Sequence, residues 1–394
     1  MNGAATEPLI GVINAGSSSV KFSFYEGERR ILAGQVDGIG AHPSASATGP
    51  NGEKLEPPDL RRKPPTVPSE VLPAILPWAR ERLGDRRLAA LGHRVVHGGL
   101  QYSRPARVTP ELLAELEALV PLAPLHEPHN LAPIKMALRL NPELPQVACF
   151  DTAFHRTAPE VEQAFALPYS FYEEGIRRYG FHGLSYEYIA SVLPGQAPEI
   201  ASGRVVVAHL GNGCSACAMR NQVSIATTMG FTALDGLPMG TRCGELDAGV
   251  VLHLIQQKGM SAEELVDLLY RRSGMFGLSG ISSDFRELLV SGDPRARFAV
   301  EVFCYRVASH IGSLAAALGG LDGIVFTAGV GENAAPVRAA ICRACAWLGL
   351  ELDETANREH KQCITRPDSR VAAYVIKTDE NLMIARHARA LVGS

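Results

Sequence analysis

The sequence predicts an α/β protein built from two related halves, and three observations carry that expectation. Short apolar runs recur at 9–13, 91–96, 146–150, 205–208, 324–327 and 374–376, and stretches with helical periodicity, such as 110–120, 261–272 and 298–318, lie between them. A strand, a turn rich in Gly, Ser and Asn and a second strand occur at 11–25 and again at 204–219. The 394 residues are 46% hydrophobic and 20% charged, which leaves room for two or three domains and excludes disordered, collagen-like and coiled-coil classes.

The first apolar run leads into a turn that holds Asn14, Ser17, Ser18, Ser19 and Lys21. Backbone N–H groups, hydroxyls and an ammonium stand close together there, and phosphate oxygens need such donors; an ordinary hairpin turn is the plain alternative. Residues 37–69, rich in proline, glycine, serine and charge, read as an irregular surface excursion with little regular structure and no chemistry. On the 91–96 strand, Arg94 and Val96 share one face while His93, Val95 and His97 share the other. A guanidinium beside a valine suits a small amphiphilic anion such as a short carboxylate, and a structural salt bridge explains it equally well.

The 205–208 run enters the second turn, His209 to Cys214, and Arg242 lies in a glycine-flanked loop from which a second cation could reach a transferring group. The periodic stretch at 261 carries a capping box, Ser261 with Glu264, and stops before Gly274. After the 324–327 run, Gly329, Val330, Gly331, Glu332 and Asn333 open a helix. With Glu351 about 20 residues on, this admits a dinucleotide-binding reading. A nucleotide held at a helix N-terminus without nicotinamide is preferred, because a dinucleotide fingerprint usually sits on the first strand.

Several classes are disfavoured. Thirty-eight lysines and arginines against forty-one acids give a net charge of -3, which attracts neither nucleic acid nor an anionic membrane. No apolar stretch reaches the roughly 20 residues of a membrane span, and the opening residues lack a basic segment ahead of an apolar core, so a cytoplasmic protein is expected. Eight cysteines are too sparse for a disulfide framework, and reduced thiols follow. There is no P-loop motif. A metal hydrolase fares no better: on a strand His93 and His97 would stand roughly 13 Å apart, and His126-Glu127-Pro128-His129 lacks the helical spacing of two zinc histidines.

Ten ordered segments together resemble the acetate kinase family: VINAGSSSVKF (12–22), GHRVVHGG (92–99), APLHEPHN (123–130), FDTAFH (150–155), RRYGFHGLS (177–185), VVAHLGNGCS (206–215), TMGFTALDGLPMGTRCGELD (228–247), SGISSDFREL (279–288), FTAGVGEN (326–333) and TDENL (378–382). The resemblance spans about residues 9–390. It implies duplicated ribonuclease-H-like domains of the actin-like ATPase class, clasping ATP in a central cleft. The expected division is an N-terminal domain, 1–152, with a C-terminal helix 381–394 packing back on it, and a nucleotide-binding domain, 153–380.

The same resemblance implies the roles. Asn14 and Glu380 would hold Mg²⁺, or Mn²⁺ in its place, while Ser17, Ser19 and Lys21 approach the phosphates. Arg94 would pair with the substrate carboxylate, with Val96, Leu125, Phe181 and Ala233 around its alkyl group and His126 and Asp151 lining the site. His182 and Arg242 would stabilise the transferring phosphoryl. For ATP, His209, Leu210, Gly211, Asn212 and Gly213 face phosphate, Asp284, Phe285 and Arg286 face ribose and adenine, and 329–333 meets the nucleotide at a helix start. A homodimer is the usual state. Two positions depart from the pattern: Ala233 stands where the family usually has proline, which loosens the alkyl pocket, and Asn381 where it usually has a second glutamate. The implied activity is acetate phosphorylation by ATP; propionate or butyrate kinase and a non-catalytic nucleotide switch are the rivals.

Overall fold

The computed structural model describes residues 7–16, 19–60 and 64–393. The chain divides into two compact units, one running to residue 153 and resuming at Asp379, the other spanning Phe154–Thr378.

The first unit is built on strands β1 (Leu9–Ala15), β2 (Val20–Glu26), β3 (Arg29–Asp37), β4 (Ser44–Thr48), β5 (Lys54–Leu55), β6 (Leu88–Val95), β7 (Ala106–Arg107) and β8 (Gln146–Phe150), in the order β5-β4-β3-β2-β1-β6-β8-β7. The second holds β9 (Arg204–Leu210), β10 (Cys214–Arg220), β11 (Val223–Thr227), β12 (Gly323–Thr327) and β13 (Ala372–Val375), ordered β11-β10-β9-β12-β13. The central run β3-β2-β1-β6-β8 repeats that order, with the first two pairings antiparallel and the next two parallel in both sheets. The strand-turn-strand echo at 11–25 and 204–219 is therefore the start of one topology used twice, and the duplicated α/β fold is borne out.

Burial explains why these runs became strands. β1, β6 and β8 are apolar on both faces because helices cover both sides of a parallel sheet. One face packs Phe22, Phe24, Leu72, Ile75 and Trp78, with Phe22 edge-on to Trp78 at 5.6 Å. The other packs Val95, Leu112, Leu116, Leu131, Ile134 and Phe150. The helix Glu380–Val392 belongs to this unit and lies hard against β6: a Cβ on Gly92 would stand 2.4 Å from Ile384 Cγ2, so only glycine admits it.

Two expectations change. Residues 37–69 do contain regular structure, since β4 and β5 extend the sheet beyond β3. Ser-Ala-Ser-Ala-Thr is too small and polar to read as a strand, yet Ala45, Ala47 and Leu55 reach the core while the backbone pairs with the free edge of β3. The helix expected at 298 begins at Pro294, because Asp293 accepts from Arg295 N–H and proline suits the first helical position. The capping box at Ser261 is present in both directions.

Candidate active site

In the first unit the chemistry gathers where the parallel strands end, the edge that α/β sheets generally use for ligands. The β1–β6 ladder has its last pair at Ile13 and His93, so Asn14 and Arg94 are the next residues of each strand. Arg94 donates from Nη2 to Asp151 Oδ2, and Asp151 is itself fixed because its N–H donates to Val95 O at 3.0 Å. The guanidinium is 18% exposed and the carboxylate 1%, so the pair offers one cationic edge outward with its anion behind it. Burial alone would lower the Arg94 pKa; Asp151, Glu380 and Glu127 outweigh it and raise it.

Glu127 is fully buried at the start of the helix Glu127–Leu140 and accepts His97 N–H at 3.2 Å. Burial pushes its carboxyl up to about 8, against the His97 hydrogen bond and the nearby Arg94, so near neutrality it is mainly protonated. Val96 is buried, and Leu125 and His126 are partly exposed just ahead of that helix. Lys21 is exposed on β2, paired across the hairpin with Asn14, and Ser19 closes the turn by accepting Gly16 N–H at 2.8 Å. Ser17 lies outside the described residues.

Asn14 Nδ2 lies 3.3 Å from Glu380 Oε2. Glu380 is the first residue of its helix, whose cap, Asp379, accepts from Leu382 N–H and from Tyr25 O–H. One carboxylate beside an amide carbonyl is an all-oxygen donor set of the kind Mg²⁺ uses when water and substrate phosphates complete its shell, so these residues fit the ion. The Asn381 amide nitrogen is committed to Ser23 Oγ at 3.0 Å. Among the described residues no three His, Cys, Asp or Glu side chains converge as a metal site, and the histidines form no zinc-type cluster.

The second unit arranges histidines, hydroxyls and a guanidinium. His182 sits in the left-handed region, φ 58°, ahead of the helix Gly183–Gln196. The preceding Phe181 carbonyl accepts from His155 Nε2 at 2.9 Å, and His155 Nδ1 meets Ser224 Oγ at 2.9 Å. His182 Nδ1 lies 2.8 Å from Ser215 Oγ, which also meets Tyr186 O–H. Tyr186 is buried, and burial raises its pKa well above the ordinary value, so the phenol stays neutral. Its hydroxyl must donate and Ser215 is its acceptor among the described residues, so Ser215 keeps its own proton for donation toward His182 Nδ1. With the imidazole neutral, a Ser215 proton given to Nδ1 leaves the His182 proton on Nε2.

His209 stacks on His182 at 4.2 Å with planes 15° apart, and Ser185 and Thr378 hold its Nδ1 side. A Cβ on Gly213 would stand 3.1 Å from His182 Nε2 and 3.8 Å from Arg242 Nη2. Those two donors therefore converge on space that glycine leaves open. Arg242 Nη1 donates to the Ala233 carbonyl at 2.8 Å, so Ala233 also aims the guanidinium.

A cavity of about 690 Å³ in this unit is lined by Gly211, Asn212, Asp284, Phe285, Arg286, Gly329, Val330 and Asn333, all expected nucleotide residues, with Ser283, Leu289, Ala334 and Pro336 added. Asp284 caps the helix Phe285–Val290 and pairs with the exposed Arg286, while Phe285 packs edge-on to Phe303. His209, Leu210, Gly211 and Gly213 divide: Gly211 lines the cavity, Gly213 faces His182 and Arg242, His209 takes part in the stack, and Leu210 is core. Gly331 and Glu332 serve the loop itself. Glu332 Oε1 accepts Ala328 N–H at 2.9 Å, and the fully buried Arg338 donates to the Gly331 and Glu332 carbonyls at 2.9 Å each. Glu351, the acid of the dinucleotide reading, is exposed and accompanies Arg366.

Comparison with known proteins decides the family. The family model described as the acetokinase family matches residues 9–386. The chain belongs to the acetokinase family. Acetate kinase of Nitrobacter hamburgensis is 55% identical over 390 residues, covering 97% of this chain and 95% of the relative. Acetate kinase of Porphyromonas gingivalis shares the fold with a TM-score of 0.87 at 35% identity, covering 98% of this chain and 100% of that structure. A propionate kinase from Francisella tularensis gives 0.88 at 36%, covering 96% and 98%. Within this acetokinase chain, sequence reasoning missed Glu127, Asn130, Tyr186 and Ser215 as parts of the site. All four lie in or beside the segments that resemble the family, but only the fold shows what their side chains hold.

Proposed function

We propose that the protein transfers the γ-phosphoryl group of ATP reversibly to acetate, giving acetyl phosphate and ADP. The observation that carries this reading is Arg94, a partly exposed cation beside Val96 whose direction is set by buried Asp151. Such a site holds a short carboxylate by charge and its alkyl end by apolar contact. Relatives called acetate kinase, at 55% and 53% identity over nearly the whole chain, support the choice of acid.

The chemistry is a meeting of two anions. Acetate is ionised at pH 7, so no general base is required. One carboxylate oxygen attacks the γ-phosphorus, the new O–P bond forms as the bond to the bridging oxygen of the β-phosphate breaks, and ADP departs with that electron pair. Arg94 anchors the acceptor. His182, with its proton on Nε2, and Arg242 donate to phosphoryl oxygens as charge spreads over them. Asp151 orients Arg94 rather than accepting a proton. Asn14 and Glu380 would hold Mg²⁺ or Mn²⁺, which when bound offsets charge on the phosphates. ATP takes the 690 Å³ cavity, its adenosine toward Arg286 and its phosphates toward Gly211 and Asn212.

The chain works as a homodimer in this reading. The helix Ala248–Lys258 has no buried residue, and its Leu252 is 54% exposed, which a second copy would cover. Free thiols suit the cytoplasm, and among the described residues no helix is long and apolar enough to cross a membrane.

Trapping acetyl phosphate as its hydroxamate tests the function: product that depends on acetate, ATP and Mg²⁺ supports it, and none in either direction of reaction rejects it. Ala233 favours a second reading, in which propionate is also used. One buried methylene is worth about 0.8 kcal/mol, so the propionate preference could move several-fold. Comparing kcat/KM for acetate, propionate and butyrate in the parent and in Ala233→Pro decides it. An unchanged ratio removes position 233 from chain-length selection.

A further inference from the structure

Asn130 is 2% exposed, near the start of the helix Glu127–Leu140, and both ends of its amide are used. Its Oδ1 accepts Val96 N–H at 2.9 Å, and its Nδ2 donates to the Ala15 carbonyl at 2.7 Å. The orientation is unambiguous, since one backbone partner can only donate and the other only accept. Both partners lie just past the point where the β1–β6 ladder stops, at Ile13 and His93. Ala15 follows Asn14 and precedes the phosphate turn; Val96 follows the strand that carries Arg94. A side chain thus replaces the missing rung, and it does so where the two strands have turned to different ligands.

We propose that Asn130 is a positioning residue that sets the spacing between the carboxylate anchor, Arg94 with Val96, and the metal and phosphate turn at Asn14. This rests on the carboxylate-kinase reading above. Its two bonds act on different substrates: the acceptor end fixes the Val96 backbone in the acid pocket, and the donor end fixes the Ala15 backbone beside Asn14. Glu127, which sits one turn earlier on the same helix, holds His97 N–H and, among the described residues, makes no hydrogen bond to β1. Asn130 instead reaches both strands with its one amide.

The amide can be dissected. Asn130→Asp keeps an acceptor for Val96 N–H but loses the donor and turns an oxygen toward the Ala15 carbonyl. Asn130→Ala loses both bonds. Steady-state kinetics of hydroxamate formation, with acetate and Mg²⁺ each varied, and thermal midpoints are measured for the parent and both variants. Removing a buried partner is worth roughly a tenfold change. Asn130→Asp is therefore expected to raise half-saturating Mg²⁺ and lower kcat by about that factor while its acetate KM stays near the parent's. Asn130→Ala should raise both. Should the alanine variant not fold, Asn130→Ser replaces it with the same expectation. Variants that lose thermal stability but keep the parent's acetate KM, kcat and Mg²⁺ dependence would overturn the proposal and leave Asn130 a structural residue. A parent that makes no hydroxamate rejects the underlying reading, a result distinct from any pattern among the variants.

Discussion

The two units share a strand order and differ in what stands at the strand ends. β6 and β8 end at Arg94 and Asp151, an ion pair set in a largely desolvated corner with a protonated Glu127 nearby. The equivalent β12 and β13 lead to Thr327 and Thr378, and the histidines beside them are held by hydroxyls. In the proposed reaction, that contrast is how one scaffold would serve two anions. Acetate is too small to offer many contacts, so a fixed charge must supply most of its recognition. A nucleotide brings its own charge and a broad surface, so glycine loops, backbone dipoles and a large cavity suffice. A buried ion pair in one unit, and hydroxyl-held histidines with a partly exposed guanidinium in the other, should fail in different ways when cut.

The largest effect is expected from Arg94→Ala. It strands Asp151 without its cation, which for a buried pair costs about 3–5 kcal/mol, and it removes the acceptor anchor. Denaturant unfolding should show that loss and kinetics a raised acetate KM with ATP KM little changed. Equal stability would mean that Asp151 finds another partner and that the contrast between units is overstated.

Arg242→Ala should act the other way. Its guanidinium is partly exposed and bonded to a backbone carbonyl, so stability should hold while kcat falls by roughly 10²–10³, the loss typical of a transition-state donor. Near-parental turnover would take it out of the mechanism.

A third difference concerns pH. The Glu127 carboxyl is raised from 4.5 to about 8, chiefly by burial, so the folded state keeps a proton that the unfolded state has lost between those values. Its stability contribution is full below pH 4.5, declines as pH rises, and is gone above about 8. Glu127→Gln should flatten this part of the stability curve and leave the variant more stable than the parent at alkaline pH. An unchanged slope would assign the pH dependence to other groups.

The smallest effect belongs to Tyr186→Phe. Without the phenol proton, Ser215 is free to turn, and part of the His182 population can take the other tautomer. A loss of about 1 kcal/mol, a few-fold in kcat with ATP KM unchanged, is expected. No change would show that Ser215 alone fixes the ring.

The sequence made the strands and the phosphate turns legible because apolar runs and glycine turns are local signals. Arg94 stood out for the same reason, as a cation inside an apolar strand. Strand periodicity alone does not distinguish a salt bridge from a ligand as the partner of Arg94, and the structure gives it Asp151 with a cationic edge still exposed. β4 escaped notice because its residues are small and polar and its stability comes from a neighbouring strand's free edge. Asn130 and Tyr186 were silent because a buried amide or phenol declares its role only through partners 29 to 115 positions away. Long-range hydrogen bonds leave no period in a sequence.

Phosphoryl transfer to acetate can be followed by phosphorus NMR of the protein incubated with ATP, Mg²⁺ and acetate. An acetyl phosphate resonance is expected to grow in step with ADP, and to disappear when Arg94→Ala is assayed at acetate concentrations that saturate the parent only. ADP accompanied by inorganic phosphate alone, or no ADP at all, would contradict it.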